Sequence, residues 1–233
     1  MKYGVILARF QPIHNGHLAL IEKACSENDQ VLILIGSADK LNNRNPIPFD
    51  IRLQLVQRAV EHLTNVKIVG LDDLSCETDN NVEWGFYLYS HIVSHINQAN
   101  FTIYYSDGYE IITSWFPGFI LRNNVSLSLL ARNSFEKGIS ATAVRTYITN
   151  EEWSALETVV PANVFSYKER LREHIAIAAK YNKIPYFVTG APDHVHPTID
   201  TVKIEMRDPE FTLQAMGVKT TAEGVKGYYP AFD

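Results

Sequence analysis

Two histidines lie three residues apart near the start of the chain, in the segment His14-Asn15-Gly16-His17. An apolar run ending at Arg9 precedes them, and an amphipathic segment follows. This order predicts that Arg9 and both histidines lie beside a helix N-terminus at the end of a buried strand. Such a place attracts anions, because exposed N–H groups and the helix dipole favour negative charge, and Gly16 lets the backbone approach a ligand closely. The segment therefore indicates phosphate chemistry, and the alternative is a helix cap with incidental histidines.

A second cluster with the same chemistry occupies residues 138–145, with the sequence Gly-Ile-Ser-Ala-Thr-Ala-Val-Arg. Ser140 and Thr142 place hydroxyls at the predicted start of a helix, and Arg145 can donate two parallel hydrogen bonds to a phosphate. Taken alone, the cluster reads as a capped helix with a surface arginine. Paired with the first histidine segment, it favours a phosphate site. A zinc site is disfavoured, because no other His or Cys lies nearby at ligand spacing.

Alternating apolar and amphipathic segments predict the elements that position these residues. Apolar runs predict strands at 3–8, 31–35, 66–70, 101–105 and 125–130, and helical spacing predicts helices at 16–28, 49–63, 80–98, 109–116 and 140–150. Strands that alternate with helices indicate an α/β fold with a doubly wound parallel sheet. Ligands of such sheets bind beyond the carboxyl ends of the strands. After residue 150 the pattern changes, with a helix at 166–182 and one possible strand at 201–206.

Composition narrows the class of protein. The 233 residues are 46% hydrophobic, enough for a sizeable core, and the net charge of −5 argues against a nucleic-acid binder. Cys25 and Cys76 suggest neither a disulfide framework nor a zinc site, and we expect both to stay reduced. No apolar run approaches the roughly 20 residues that cross a membrane, and the N-terminus lacks a signal-peptide pattern. We therefore expect a cytoplasmic protein with no membrane partner, and we also expect a homo-oligomer.

Together the two clusters resemble the nucleotidylyltransferase superfamily. His14-Asn15-Gly16-His17 matches its HxGH motif, and residues 139–145 match its ISxTxxR motif. The resemblance covers about residues 3 to 150 and implies a Rossmann-like nucleotidylyltransferase fold. Within the superfamily, residues 9–17 look most like nicotinamide-mononucleotide adenylyltransferases of the archaeal type, or of the bacterial or phage type linked to a Nudix hydrolase. Residues 35–40, 44–46 and Phe49 resemble the same group, and so do residues 80–84.

The resemblance implies that ATP and nicotinamide mononucleotide react to give NAD and pyrophosphate. It implies that His14, His17 and Arg145 are the catalytic residues. The implied ATP-binding residues are Arg9, Phe10, Gly16, Ile139, Ser140 and Thr142. A Mg²⁺ ion would bridge the phosphates with few protein ligands, in keeping with the lack of a carboxylate cage in the sequence.

For the mononucleotide, the resemblance implies Trp84 as the residue that stacks on the pyridine ring, and a core position is the alternative. The other candidates for this side are Ser37, Asp39, Lys40, Asn45, Asn80 and Asp107, and an exposed loop residue is the default reading of several of them. Trp115 is the rival to Trp84, because Asp107 and Trp115 resemble the spacing in bacterial nicotinate-nucleotide enzymes.

The resemblance stops at about residue 150. We therefore expect a nucleotidylyltransferase domain at 1–150 and a C-terminal helical or irregular extension of unknown role at 151–233. The extension carries no Nudix signature, so no pyrophosphohydrolase activity is expected. Two alternatives remain at this stage: an adenylyltransferase for nicotinate mononucleotide or another phosphorylated small molecule, and a nucleotide-binding sensor without turnover.

Overall fold

A computed structural model describes residues 1–74, 81–106, 112–116, 118–131, 139–181, 220–221 and 224–225 of the chain. Within these ranges the main sheet has five strands, all paired in parallel, in the order β3-β2-β1-β4-β5. The strands are β1 (Tyr3–Ala8), β2 (Gln30–Gly36), β3 (Val66–Leu71), β4 (Phe101–Ser106) and β5 (Val125–Leu130). The predicted doubly wound α/β fold is confirmed, and each predicted strand of the sheet lies within two residues of its expected place.

Helices connect and cover these strands. They are α1 (Asn15–Glu27), α2 (Phe49–Ala59), α3 (Val82–Ile96), α4 (Ile112–Trp115), α5 (Gly118–Asn123), α6 (Ala141–Thr149), α7 (Trp153–Val159), α8 (Ala162–Phe165) and α9 (Lys168–Tyr181). Two short antiparallel strands follow, β6 (Thr220–Thr221) and β7 (Gly224–Val225). Within the described ranges, no helix combines the length and the apolar character needed to cross a membrane.

Successive side chains of each strand lie on opposite faces of the sheet, so the strands contribute to two hydrophobic cores, one on each face. Ile6 and Ile33 belong to the first core, which is completed by side chains of α1, α2 and α6 to α9. Val5 and Leu32 point to the second core, beneath α3, α4 and α5. The strands read as continuous apolar runs because both faces of the sheet are covered.

Three of the helices begin at a side chain that caps the first turn. His14 Nδ1 accepts from the His17 N–H, Asn81 Oδ1 from the Trp84 N–H, and Ser140 Oγ from the Ala143 N–H. A side-chain acceptor satisfies one of the N–H groups that a helix start leaves without an internal partner. Ser140 thus occupies the N-cap position that the sequence predicts for it.

Several boundaries differ from the sequence prediction. Helix α2 ends at Ala59 rather than near residue 63, and the predicted helix 109–116 is described only as α4 at Ile112–Trp115. Helices α5, α7 and α8 were not predicted, because four to seven residues are too few for helical periodicity to show. The possible strand at 201–206 lies outside the described residues, as does Cys76.

The helices after residue 150 pack on the same core as the strands. Leu156, Val164 and Leu171 are buried in the first hydrophobic core, beside Ile21 and Ile148. Hydrogen bonds also join these helices to the earlier part of the chain. Asn15 on α1 donates to the Thr158 carbonyl of α7, and Asn163 on α8 donates to the Leu55 carbonyl of α2. The division of the chain at residue 150 stays a prediction, but residues 153–181 share a core with what precedes them.

Candidate active site

A cavity of about 240 Å³ opens beyond the carboxyl ends of β1 and β4. These neighbouring strands flank the point at which the order of the sheet reverses direction, where doubly wound sheets bind their ligands. The cavity is lined by every residue predicted as catalytic or ATP-binding: Arg9, Phe10, His14, Gly16, His17, Ile139, Ser140, Thr142 and Arg145. The fold thus brings the two sequence motifs to one place.

The two histidines of the first motif form a stacked pair at the start of α1. Their ring centroids lie 3.7 Å apart, with an interplanar angle of 23°. His14 Nδ1 accepts from the backbone N–H of His17 at 3.3 Å, so the neutral ring carries its proton on Nε2. Two imidazoles in this arrangement, side by side on one cavity wall, can donate to neighbouring oxygens of one polyphosphate.

The backbone that leads into this helix is tightly constrained. Phe10 has a φ of 51°, a left-handed conformation that costs energy for a bulky residue. Phe10 is almost fully buried, and its ring lies 4.9 Å from that of His17. At Gly16 an added Cβ would lie 3.2 Å from the His14 ring, tighter than usual packing. The position of His14 therefore depends on Phe10 before it and Gly16 after it.

Helix α6 supplies the opposite wall of the cavity. Its N-cap Ser140, Thr142 and the half-buried Arg145 face the cavity from the first turns. Arg145 Nη1 donates to the Gln11 carbonyl at 2.9 Å, and Nη2 donates to Thr142 Oγ1 at 3.3 Å. These bonds hold the guanidinium between the two motifs.

The electrostatics of the cavity favour an anion. The N-termini of α1 and α6 both meet it, each with a partial positive charge. Burial lowers the pKa of Arg145, and the neighbouring charge of Arg9 lowers it further. No Asp or Glu occurs among the described residues that line the cavity. A polyphosphate would supply the negative charge that these groups lack.

Four of the residues predicted for the mononucleotide lie in a described loop and are not among the residues that line this cavity. Ser37, Asp39, Lys40 and Asn45 lie in the loop between β2 and α2, where they bind protein groups. Ser37 Oγ donates to Asp73 Oδ1 at 3.0 Å, and Asp39 accepts from the backbone N–H of Asp73 at 3.0 Å. Asp39 also pairs with Lys40, and the amide of Asn45 donates to Asn42 Oδ1. Their predicted role stays a prediction.

Trp84 and Trp115 are in contact with each other, but only one of them lines the cavity. Their rings meet edge to face, with centroids 6.0 Å apart. Both are buried in the second hydrophobic core, but only Trp115 on α4 is part of the cavity wall, and Trp84 on α3 is not. The other two candidates for the mononucleotide side, Asn80 and Asp107, lie outside the described residues.

Sequence reasoning missed Gln11 and Arg52, two buried polar residues beside the site. The side-chain amide of Gln11 both donates to the Ile47 carbonyl and accepts from the Ile47 N–H, tying the motif to the loop before α2. Arg52 on α2 contacts the backbone at the ends of β1 and β2. A signal for Arg52 exists, because position 52 falls within the apolar stripe of α2 formed by Leu55, Val56 and Ala59.

The donor set of the cavity fits a metal ion that arrives bound to phosphates. Among the described residues, no group of three or more His, Cys, Asp or Glu side chains could hold a metal ion. A Mg²⁺ ion takes its ligands largely from substrate phosphates and water, so it needs few protein ligands.

The chain matches the cytidylyltransferase-like family over residues 5–147. It is similar to the nicotinamide-nucleotide adenylyltransferase of Halorubrum lacusprofundi, with 35% identity over 108 residues, which is 45% of this chain and 54% of that protein. The corresponding enzyme of Pyrococcus abyssi is 28% identical over 183 residues, 74% of this chain and 85% of the relative. The match thus spans little more than half of the first relative and most of the second.

A similar fold occurs in a bifunctional NMN adenylyltransferase/ADP ribose pyrophosphatase from Francisella tularensis, solved with AMP and a Mn ion. The TM-score is 0.57 at 20% sequence identity, and the match covers 78% of this chain and 53% of that chain. At this identity the likeness shows the fold.

Proposed function

Because the chain belongs to the cytidylyltransferase-like family, we propose that it is an adenylyltransferase that joins ATP and nicotinamide mononucleotide to give NAD and pyrophosphate. The observation that carries this proposal is the cavity at the switch point of the sheet, where both motifs meet under two helix N-termini. The names of the archaeal relatives support nicotinamide mononucleotide as the acceptor.

The transfer is a single in-line displacement. A phosphate oxygen of the mononucleotide attacks the α-phosphorus of ATP, the bond from that phosphorus to the bridging oxygen breaks, and pyrophosphate leaves with the electron pair. The nucleophile is already an anion, so the protein needs no strong base. Catalysis then consists of positioning the substrates and stabilising charge.

Each cavity group has a role in this scheme. His14 and His17 donate to the phosphates of ATP, and His17 is the first choice for stabilising the transition state. Arg9 and Arg145 bind the remaining phosphate oxygens, and the first-turn N–H groups of α6 add donors. We further propose that Mg²⁺ is bound with the triphosphate, where the ion neutralises charge on the phosphate oxygens.

Replacing His17 tests the activity. The wild-type chain should form NAD from ATP, Mg²⁺ and nicotinamide mononucleotide, and His17→Ala should lower kcat about 100- to 1,000-fold, as for loss of one transition-state donor. His62→Ala, at an exposed histidine, is the matched control and should keep wild-type turnover. Binding of ATP without any NAD formation by the wild type would instead indicate a nucleotide sensor.

Two tryptophans, Trp84 and Trp115, are candidates for stacking on the pyridine ring of the acceptor. Nicotinamide and nicotinate mononucleotide are the two candidate acceptors. Trp84 is the residue that the sequence predicts to stack on the pyridine ring, whereas the cavity wall favours Trp115. A cationic ring over an indole contributes roughly 0.5–2 kcal/mol, so Leu at the true stacking position should raise the KM for the acceptor and leave that for ATP unchanged. Measuring Trp84→Leu and Trp115→Leu with nicotinamide and nicotinate mononucleotide assigns both the ring and the acceptor. An unchanged acceptor KM in both variants would contradict any tryptophan stack.

The remaining parts of the proposal concern the protein's surroundings. We propose that it acts as a homo-oligomer in the cytoplasm, on small-molecule substrates rather than nucleic acid. The free thiol of Cys25 and the ordinary, slightly acidic composition favour this setting.

A further inference from the structure

Arg52 is a fully buried cation beside the candidate site. Among the residues that the structure describes, it is the largest side chain with an exposed fraction below 2%, and its own value is 0%. Nη1 donates to the carbonyls of Arg9 and Gly36, both at 2.8 Å, and Nη2 donates to the carbonyl of Ser37 at 2.9 Å. The guanidinium thus binds backbone oxygens on two different segments.

These carbonyls lie at the ends of two neighbouring strands: Gly36 is the last residue of β2, and Arg9 and Ser37 directly follow β1 and β2. Ala8 of β1 pairs with Ile35 of β2, so Arg9 and Gly36 are the next residues on each side. After the strand ends, each of the two segments turns at a residue with left-handed backbone conformation, with φ of 51° at Phe10 and 49° at Ser37. Arg52 therefore joins the two strand ends where their own hydrogen-bonded pairing stops.

The charge of Arg9 also acts on Arg52. Burial lowers the pKa of Arg52 to about 10, and the nearby charge of Arg9 contributes to this shift. Arg52 remains protonated at neutral pH, so its guanidinium donates a charge-assisted hydrogen bond to the Arg9 carbonyl. Arg9, whose backbone carbonyl is held in this way, lines the cavity.

We propose that Arg52 is a positioning residue that holds the turn after β1 so that Arg9 faces the triphosphate. This inference rests on the proposed function, since it assumes that Arg9 binds ATP. A purely structural role makes a different prediction: Arg52→Met would lower the free energy of unfolding, because it leaves three carbonyls without their donor, and its effect on ATP affinity would not depend on Arg9.

The test is a double-mutant cycle between Arg52→Met and Arg9→Ala, read by the affinity for a non-hydrolysable ATP analogue and by kcat for NAD formation. Displacement of a substrate-positioning group by about 1 Å can cost up to about 100-fold. We therefore expect Arg52→Met to weaken ATP binding or turnover about 10- to 100-fold in the wild-type background. In the Arg9→Ala background the same substitution should have little further effect, because Arg52 acts through Arg9.

Two further variants make the cycle decisive. Arg58→Met, at an exposed arginine of the same helix, is the control and should match wild type. Arg52→Lys keeps the charge but not the fork of donors, so it should recover part of the loss, and it carries the cycle if Arg52→Met does not fold. Equal losses in both backgrounds, or no loss in either, overturn the proposal.

Failure of the proposed activity and failure of the positioning role of Arg52 give different experimental results. If the wild type binds the ATP analogue but forms no NAD, the proposed function fails, and the affinity cycle still decides the role of Arg52. If the wild type does not bind the analogue, the positioning role falls together with the proposed function.

Discussion

His14 has two roles at the first turn of α1, and they can be separated. Its Nδ1 caps the helix by accepting from the His17 N–H, and its ring lines the cavity. Asn is an effective N-cap, whereas Ala costs about 1 kcal/mol at such a position. The cap contributes to stability, whereas in the proposed function the Nε2–H of the ring donates to a phosphate.

We therefore expect His14→Asn to keep the free energy of unfolding and to lose most of the turnover. His14→Ala should lose turnover and about 1 kcal/mol of stability as well. Chemical denaturation and NAD formation, measured on both variants, check this prediction. An Asn variant with normal turnover would show that the imidazole is needed only as a cap.

At the scale of elements, the contact between α3 and α4 shapes one wall of the cavity. A Cβ added at Gly85 would lie 1.7 Å from the carbonyl oxygen of Trp115, far inside any real contact distance. Helix α3 can approach α4 this closely only because position 85 is a glycine. The approach also brings Trp84 against Trp115.

Gly85→Ala should therefore force α4 away from α3. We expect a loss of about 1–3 kcal/mol, the usual cost of overpacking, together with a raised KM for the acceptor if Trp115 binds it. Ser90→Ala, at an exposed position of the same helix, is the control. Wild-type stability in Gly85→Ala would mean that the two helices separate without cost.

At the scale of the whole molecule, helices α7 to α9 are packed in the first hydrophobic core. Leu171 on α9 is fully buried, whereas Ile177 on the same helix is 49% exposed. Leu171→Ala should cost about 2–5 kcal/mol, as in any close-packed core, and should leave a single unfolding transition. Ile177→Ala should cost far less. Two separate transitions in Leu171→Ala would indicate that the extension unfolds independently of the sheet.

Low pH should reduce the free energy of unfolding, because three histidines have a lowered pKa in the folded state. Burial is the main cause that lowers the pKa of His91, His95 and His174 below the ordinary value of 6.5, and nearby positive groups add to it. The folded state therefore favours the neutral rings, and the unfolded chain binds more protons. Stability is fully present above about pH 6.5 and falls as the pH drops from there towards the lowered values.

Denaturation curves at about pH 7.5 and about pH 5.5 check this dependence. His91→Gln should reduce the difference between the two curves, because one of the titrating groups is removed. A folded state that is more stable at the lower pH would contradict the prediction.

Local spacing by itself predicted where the two motifs lie in the fold, at one cavity beyond the strand ends. The first motif places two histidines around a glycine, and the second places an arginine five residues after a capping serine. Each pattern spans only one or two helical turns, so its place in the fold could be predicted. Apolar runs located the strands for the same reason, because a strand covered on both faces needs apolar residues throughout.

Only the tertiary structure decided what depends on contacts between distant segments. The chain order does not reveal that Trp115 rather than Trp84 reaches the cavity wall, that Arg52 joins the ends of β1 and β2, or that α7 to α9 enter the first core. Each of these results from how helices pack on the sheet, and packing depends on side-chain volumes and approach distances that no local pattern encodes.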